Sequence, residues 1–484
     1  MRSRLGIACA TLAVAAATFV ARAQERERPE RPVRDADIRE LAAQTIAVPA
    51  EFAADALIRL SGSSRITDAS WRRELLDEAY LRAYGAQEQY KRSSTLGIPP
   101  DSRQGAQILA YTAPLTRVTL QVRAAQLMAL LDRSRALEMF EWIDLNLAPS
   151  VCEDPLVPAV DDYYSALGQL ARTAFGNNRG EALRFLQLYL WRAHLPSEMP
   201  SVARAVQRFR ANPYEASYLE GVFGNILETA SLDPRGFSAS DLDTVTRVAD
   251  LQKADRDIGV VNWYLMEGLR HYLIAQLKGP RCRDSESESM TPAAFEAALG
   301  RVGAIRGGVR FVDPIPVSLQ PSKMLGSIRV DMYWQTAEAQ RLHEDAIQLR
   351  GRGVNPLPLK VRQTREWLEQ AEKLIVAIDQ WTGRREASER DYFYQKLFLL
   401  TGLFELTPSS RVRAQALKAF VEFMRHSDYE RDWRLLWFAY MNRLLDMARG
   451  PDRREILTAL EDSHHPVLSL YARMERVVPA GGTR

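Results

Sequence analysis

Apolar residues recur along most of the chain at steps of three and four positions, the spacing that places side chains on one face of an α-helix. A clear case is the stretch from 160 to 174, whose apolar positions are Val160, Tyr163, Tyr164, Leu167, Leu170, Ala171 and Ala174. Alternation of apolar and polar residues, the pattern of a strand, is rare. From residue 36 onward the pattern predicts about 17 to 19 helices joined mostly by short turns.

Helix start and stop signals agree with this periodicity. Asn212 and Pro213 precede an apolar periodic run, as N-cap and first-turn residues do. Gly279 and Gly450, each followed by proline, come at the ends of two other runs. We therefore expect an all-α fold of stacked helical hairpins, organised like an α-solenoid.

One stretch interrupts the helical pattern. Residues 303–332 contain two short alternating segments around a proline-spaced stretch that cannot be helical. Long irregular segments in helical proteins tend to be functional or to link domains. We expect an irregular, partly β insert or linker at 303–332, between a helical repeat region at 36–302 and a C-terminal helical region at 333–477.

The first 23 residues have the pattern of a secretory signal peptide. Arg2 and Arg4 precede an uncharged run from Leu5 to Ala21, and the small residue Ala23 marks the expected cleavage point. We expect an exported protein, periplasmic or extracellular, with a disordered polar tail at 24–35. No later run is long and uncharged enough for a membrane span, so we expect no transmembrane segment after cleavage.

The formal charge of +3 lies in this leader, which holds three of the 64 basic residues and no acid. The remaining chain has equal numbers of acidic and basic residues, so it has no overall attraction to nucleic acid. We therefore expect no nucleic-acid partner.

Two cysteines, Cys152 and Cys282, remain after the leader. Each follows a helical run in a non-helical connection, and an oxidising compartment favours pairing two such thiols. We predict a disulfide between them, provided that their helix ends are neighbours.

Residues 120 to 149 resemble a tetratricopeptide repeat. The packing positions of that family match Leu120, Ala124, Leu127, Ala136 and Phe140, with Pro149 close to its terminal proline. Arg123 and Ile143 depart from the pattern, and no second copy is in register. The resemblance implies a binding scaffold and implies no activity.

Phosphate-binding loops, dinucleotide fingerprints, nucleophile elbows, HExxH motifs and calcium loops are missing from the sequence. We therefore expect no cofactor and no metal. The adjacent acids Asp161 and Asp162 could be paired catalytic carboxylates, but acids in a first helical turn more commonly complement the helix dipole. His464 and His465 could bind a metal, and a turn is the interpretation we favour.

Two aromatic-rich stretches have two interpretations each. The run from Trp433 to Met441 and the group Tyr392, Phe393, Tyr394 and Phe398 could line a groove for a peptide. A helix that is apolar on all sides is more commonly packed between neighbours, so we predict core positions.

The sequence favours a scaffold that binds a protein, a peptide or an envelope component. Its binding surface is expected to include Arg306, Arg310 and Phe311 of the insert, since long irregular segments commonly line such surfaces. The insert could instead be a strap that covers helix ends. Two other functions remain open: a glycan-cleaving hydrolase with scattered carboxylates in a helical cleft, and a carrier of an apolar ligand.

Overall fold

The computed structural model describes residues 35–86, 90–92, 99–111, 113–145, 156–158, 160–209, 213–232, 263–278, 281–283, 305–306, 309–310, 324–327, 332–351, 355–386, 388–408, 410–427, 434–448 and 452–478. The fold is all-α, as predicted. The chain divides into a short N-terminal unit, residues 1–40, and a large unit, residues 41–484. The first six residues of helix α1 are the described part of the N-terminal unit.

The helices before the predicted insert are α1 Asp35–Gln44, α2 Ala50–Ser61, α3 Ala69–Ala83, α4 Arg103–Tyr111, α5 Arg117–Met128, α6 Arg133–Glu141, α7 Asp161–Phe175, α8 Arg179–Leu190, α9 Met199–Phe209, α10 Pro213–Ala230 and α11 Trp263–Lys278. Those after it are α12 Ala337–Arg350, α13 Leu359–Arg362, α14 Arg365–Gln380, α15 Glu389–Leu406, α16 Arg411–His426, α17 Arg434–Met447, α18 Arg453–Asp462 and α19 Pro466–Val477. Short 3-10 turns lie at Thr45–Ala47 and Pro196–Glu198.

The described strands are short and pair two by two. Strand β1 (Tyr90–Arg92) is antiparallel to β2 (Leu156–Pro158), and β3 (Arg281–Arg283) is parallel to β6 (Met324–Ser327). Strands β4 (Ile305–Arg306) and β5 (Val309–Arg310) are antiparallel. Most of 303–332 lies outside the described residues, so the β insert and the domain boundary there remain predictions.

Helices close in sequence pack against one another in the first half of the large unit. Helix α2 contacts α3 and α5, α5 contacts α6 and α7, and α7 contacts α8 and α9. Helices α3, α6 and α8, which follow α2, α5 and α7 in sequence, are also neighbours. The Tyr80 hydroxyl of α3 donates to the Met139 carbonyl of α6 at 2.6 Å. The rings of Phe140 in α6 and Tyr189 in α8 lie 5.3 Å apart.

The helices of the second half, α12 to α19, contact one another and also helices of the first half. Helix α14 contacts α16, α16 contacts α18, and α18 contacts α19. Helix α19 also contacts α2, and α15 and α17 contact α4. Arg103 at the start of α4 donates to both carboxylate oxygens of Asp391 in α15, at 2.8 and 2.7 Å.

The two predicted apolar faces are in the core. In α17, all seven residues from Leu435 to Met441 are buried, and the indole of Trp437 donates to the Met424 carbonyl at 3.1 Å. In α7, the predicted face is buried except for Ala174, which is half-buried. Phe393 and Tyr394 are buried as well, which confirms the core interpretation for these two residues, whereas Tyr392 and Phe398 are half-buried.

The stretch that resembles a tetratricopeptide repeat forms helices α5 and α6, which pack together. Leu120 and Ala124 of α5 and Ala136 and Phe140 of α6 are buried, whereas Leu127 is half-buried. Their spacing therefore places packing residues between two helices, while Pro149 lies outside the described residues.

Helices α10 and α11 approach each other closely at two glycines. A Cβ placed on Gly268 would lie 2.0 Å from the carbonyl oxygen of Gly224, which no side chain tolerates. Glycine is required at this crossing because the two backbones occupy the space of a methyl group. Among the described residues, no helix combines the length and the apolar character that a membrane crossing needs.

Candidate functional site: the groove between helices α16 and α18

The structure describes only part of the predicted contact residues of the insert and of the two cysteines. Arg306 lies in β4 opposite Val309, and Arg310 lies in β5 opposite Ile305. Cys282 lies in β3. The side chains of these residues, and all of Phe311 and Cys152, lie outside the described part of the chain. The binding role and the disulfide therefore remain predictions.

Asp161 and Asp162 join helices to one another. Asp162 accepts a hydrogen bond from the Thr119 hydroxyl of α5 at 2.8 Å. Asp161 accepts one from the Ser201 hydroxyl of α9 at 2.5 Å and forms an ion pair with Arg204. The two carboxylates thus contact different neighbours from the first turn of α7, which supports the structural interpretation.

His464 and His465 lie in the connection between α18 and α19. The Nδ1 atom of His465 accepts a hydrogen bond from the Leu468 backbone N–H at 3.4 Å and so caps α19. Burial, together with the charge of Arg425, lowers the pKa of His465 to about 4. His464 is exposed and has a φ of 54°. In the described part of the chain, no three His, Cys, Asp or Glu side chains gather as a metal site would require.

Lys396 is a buried lysine in α15. Its ammonium group donates to the carbonyls of Asp379 and Trp381, at 3.0 and 2.8 Å, and to the Tyr392 hydroxyl at 3.0 Å. Burial lowers the pKa of Lys396 to about 8. Three acceptors use all three donors of the ammonium, so this lysine holds the end of α14 against α15.

A buried ionic cluster, which we name the Asp55 cluster, joins α2, α5 and α19. The carboxylate of Asp55 is fully buried and accepts from Arg59 at 2.9 Å, Arg123 at 2.7 Å and the Tyr471 hydroxyl at 2.8 Å. Burial alone would raise the pKa of Asp55, but the two guanidinium groups and the hydrogen bonds outweigh it and lower that pKa. Arg59 also reaches Glu475 at 3.5 Å. The cluster is enclosed by helices and serves to hold the two halves together.

A groove of about 750 Å³ lies between α16 and α18. The two helices run parallel, because Arg413 near the start of α16 pairs with Asp452 at the N-cap of α18 at 2.7 Å, while Arg425 and Asp462 line the other end. Small and apolar side chains form its floor: Ala414, Leu417, Val421 and Ala459. The rim carries Lys418, Glu422, Arg425, Arg454, Glu455, Thr458 and Asp462.

Several charged side chains on this rim have no ion-pair partner among the described residues. Lys418 on α16 and Arg454, Glu455 and Asp462 on α18 are exposed, and none forms an ion pair with another described residue. Glu422, by contrast, lies 3.6 Å from Arg425. The groove therefore presents charges of both signs beside an apolar floor.

A second groove, of about 350 Å³, lies between α12 and α14. Its floor includes Leu349 and Leu374, and its rim carries Arg341, Asp345 and Lys373. These three charged side chains are also exposed and make no ion pair with the described residues. The two grooves share one design, a gap between neighbouring helices with unpaired charges at its edge.

Exposed aromatic residues form a third surface feature. Tyr84, Trp142 and Trp191 follow directly on the ends of α3, α6 and α8, and are 49%, 67% and 56% exposed. Single exposed aromatic side chains are ordinary on protein surfaces, so these three residues do not by themselves mark a binding site.

The groove was not predicted from the sequence. A signal was present, because Lys418, Glu422 and Arg425 recur at four and three positions on α16, while Glu455, Thr458 and Asp462 recur at three and four on α18. Such spacing gives two polar helix faces, and only the tertiary structure shows that these faces border one groove.

No family model, curated protein or solved structure matches this chain.

Proposed function

We propose that this chain is an exported α-helical scaffold that binds a protein, a peptide or another envelope component through grooves between stacked helical hairpins. The observation that supports this function best is the groove between α16 and α18, with its apolar floor and unpaired charges on the rim. Exposed charges beside apolar surface give a partner both buried area and orientation.

The helix contacts support the stacked arrangement. Pairs adjacent in sequence, such as α2 with α3, α5 with α6 and α18 with α19, contact each other. Helices from successive pairs also contact each other, α2 with α5 and α16 with α18. Repetition of one pairing along a chain is the organisation of helical repeat scaffolds, which offer broad binding surfaces.

The sequence-based parts of the proposal concern export and the insert. The signal-peptide pattern of residues 1–23 supports export. We include residues 303–332 as a boundary between the helical regions 36–302 and 333–477, with Arg306, Arg310 and Phe311 as contact residues. The predicted pairing of Cys152 with Cys282 belongs to the same proposal.

Site-specific photocrosslinking tests the function. A photoreactive phenylalanine analogue replaces Thr458, an exposed residue on the groove rim, and the full-length protein is irradiated in the cells that produce it. The matched control carries the analogue at Glu74, an exposed position on α3. We expect discrete adducts from position 458 that position 74 does not give. Equal adduct patterns from both positions, or none from 458, would contradict the proposal.

A further inference from the structure

The charges along the groove between α16 and α18 are not evenly distributed. In the parallel arrangement fixed by Arg413 and Asp452, Arg454 lies near the N-terminal end and Lys418 near the middle. Asp462 lies at the C-terminal end. At the two ends, Asp452 pairs with Arg413 and Arg425 lies 3.6 Å from Glu422. The rim charges that form no ion pair with a described residue therefore change from cationic to anionic along the groove, except that Glu455 places one acid beside Arg454.

The helix dipoles act in the same direction. Because α16 and α18 are parallel, their N-terminal ends, which carry partial positive charge, meet at the end that holds Arg454. Their C-terminal ends, with partial negative charge, meet beside Asp462. Side chains and backbone together favour an anion at one end of the groove and a cation at the other.

The distances define the size of a complementary ligand. Arg454 and Asp462 are eight residues apart on α18, which corresponds to about 12 Å along the helix. Lys418 is five residues after Arg413 on α16, and Asp462 is ten residues after Asp452 on α18. Because Arg413 and Asp452 lie side by side, the separation of Lys418 and Asp462 along the helix axes is roughly 7.5 Å. An extended peptide advances about 3.3 Å per residue, so two to four residues cover these separations.

The floor and the volume fit such a segment. Leu417, Val421 and Ala459 offer apolar contact between the charged ends. A volume of about 750 Å³ lies within the range that buries a small ligand, roughly 300–1,000 Å³. Lys418, Arg454 and Asp462 are free to pair with the ligand, since none of them forms an ion pair with a described residue.

We propose that the groove between α16 and α18 binds an extended peptide segment in which an acidic and a basic residue are two to four positions apart. The acidic side chain pairs with Lys418 and Arg454, the basic side chain pairs with Asp462, and the intervening residues lie on Leu417 and Val421. This inference rests on the proposed scaffold function and specifies its partner at this groove.

A panel of immobilised peptides tests the proposal. Four biotinylated eight-residue peptides are displayed densely on streptavidin, so that avidity makes weak binding measurable. Their sequences are GGEAAKGG, GGEAAEGG, GGKAAKGG and GGQAAQGG, and the analyte is the mature chain. We expect the peptide with one acid and one base to bind at least about tenfold more tightly than the other three, with binding weakened by 0.5 M salt.

Charge reversal shows whether the groove makes this selection. Asp462→Lys should move the preference to the peptide with two acids, and Lys418→Glu should move it to the peptide with two bases, each by about tenfold. Glu74→Lys is the matched control and should leave the preference unchanged. All three side chains are exposed, so circular dichroism should show that each variant is folded.

Equal binding of the four peptides would overturn the inference, as would groove variants that keep the wild-type preference. Self-association of the chain that Asp462→Lys and Lys418→Glu abolish would also overturn it, because a second copy of the chain would then occupy the groove. The photocrosslinking result separates the two proposals. Specific adducts at position 458 without a charge preference would leave the scaffold function supported and reject the peptide chemistry. A charge preference that follows the variants supports this inference whether or not a cellular adduct is found.

Discussion

Replacing Asp55 by asparagine should destabilise the protein strongly, because it removes a buried charge that two arginines share. Asp55 accepts hydrogen bonds from Arg59, Arg123 and the Tyr471 hydroxyl. Asparagine has the same shape but only one oxygen. In either orientation of the amide, its NH₂ group faces a donor, so at least one hydrogen bond is lost.

The expected loss of unfolding free energy follows from the burial of the Asp55 carboxylate. Breaking a buried ion pair by removing one partner costs about 3–5 kcal/mol, since the remaining charge keeps its desolvation penalty. The side chain of Asp55 is fully buried, whereas those of Arg59 and Arg123 are 19% and 27% exposed. Partial access to water reduces the penalty on the arginines, so we expect about 3 kcal/mol for Asp55→Asn.

Urea unfolding monitored by circular dichroism measures the loss, and Asp77→Asn is the matched control. Asp77 pairs with Arg135 at 2.9 Å, but both side chains are more than a third exposed, so its loss should cost between zero and about 1 kcal/mol. Hydrogen exchange should also become faster in α2 and α19, which the Asp55 cluster joins. Equal losses for the two variants would refute this reasoning.

Three further predictions test other parts of the structure. The pKa of His465 is about 4 in the folded chain and about 6.5 in the unfolded chain. Between these pH values the folded state binds fewer protons than the unfolded state. The free energy of unfolding should therefore decrease as the pH falls from 6.5 to 4, by up to about 3 kcal/mol. His465→Asn keeps an N-cap acceptor and should remove this pH dependence, unlike His464→Asn; denaturation at a series of pH values distinguishes them. Gly268→Ala should lower the midpoint of thermal unfolding, because the added Cβ would meet the backbone of Gly224. Gly402→Ala is the control: its Cβ would have nothing within 4 Å, so the change should be neutral or stabilising by up to about 1 kcal/mol. A Gly268→Ala protein as stable as the wild type would disprove the close approach of the two helices. Neither Cys152 nor Cys282 should give a free thiol when the unreduced protein is denatured and titrated, and two free thiols would contradict the predicted disulfide.

Local sequence features were sufficient to predict many helix positions. Helix α10 begins at Pro213 and α11 ends at Lys278, next to the predicted stop at Gly279. Capping and periodicity act within a few residues, so the chain near each site contains the whole signal. For the same reason the apolar run of α17 was sufficient to predict a buried helix.

The Asp55 cluster and the groove were decided by tertiary structure alone. Asp55 and Tyr471 are 416 positions apart, and no local pattern connects them. The polar faces of α16 and α18 were visible as spacing, but the groove exists because the two helices pack side by side and parallel. A sequence determines directly what depends on neighbouring residues, whereas sites formed between distant segments depend on how the helices pack, which is set by the burial of the whole core.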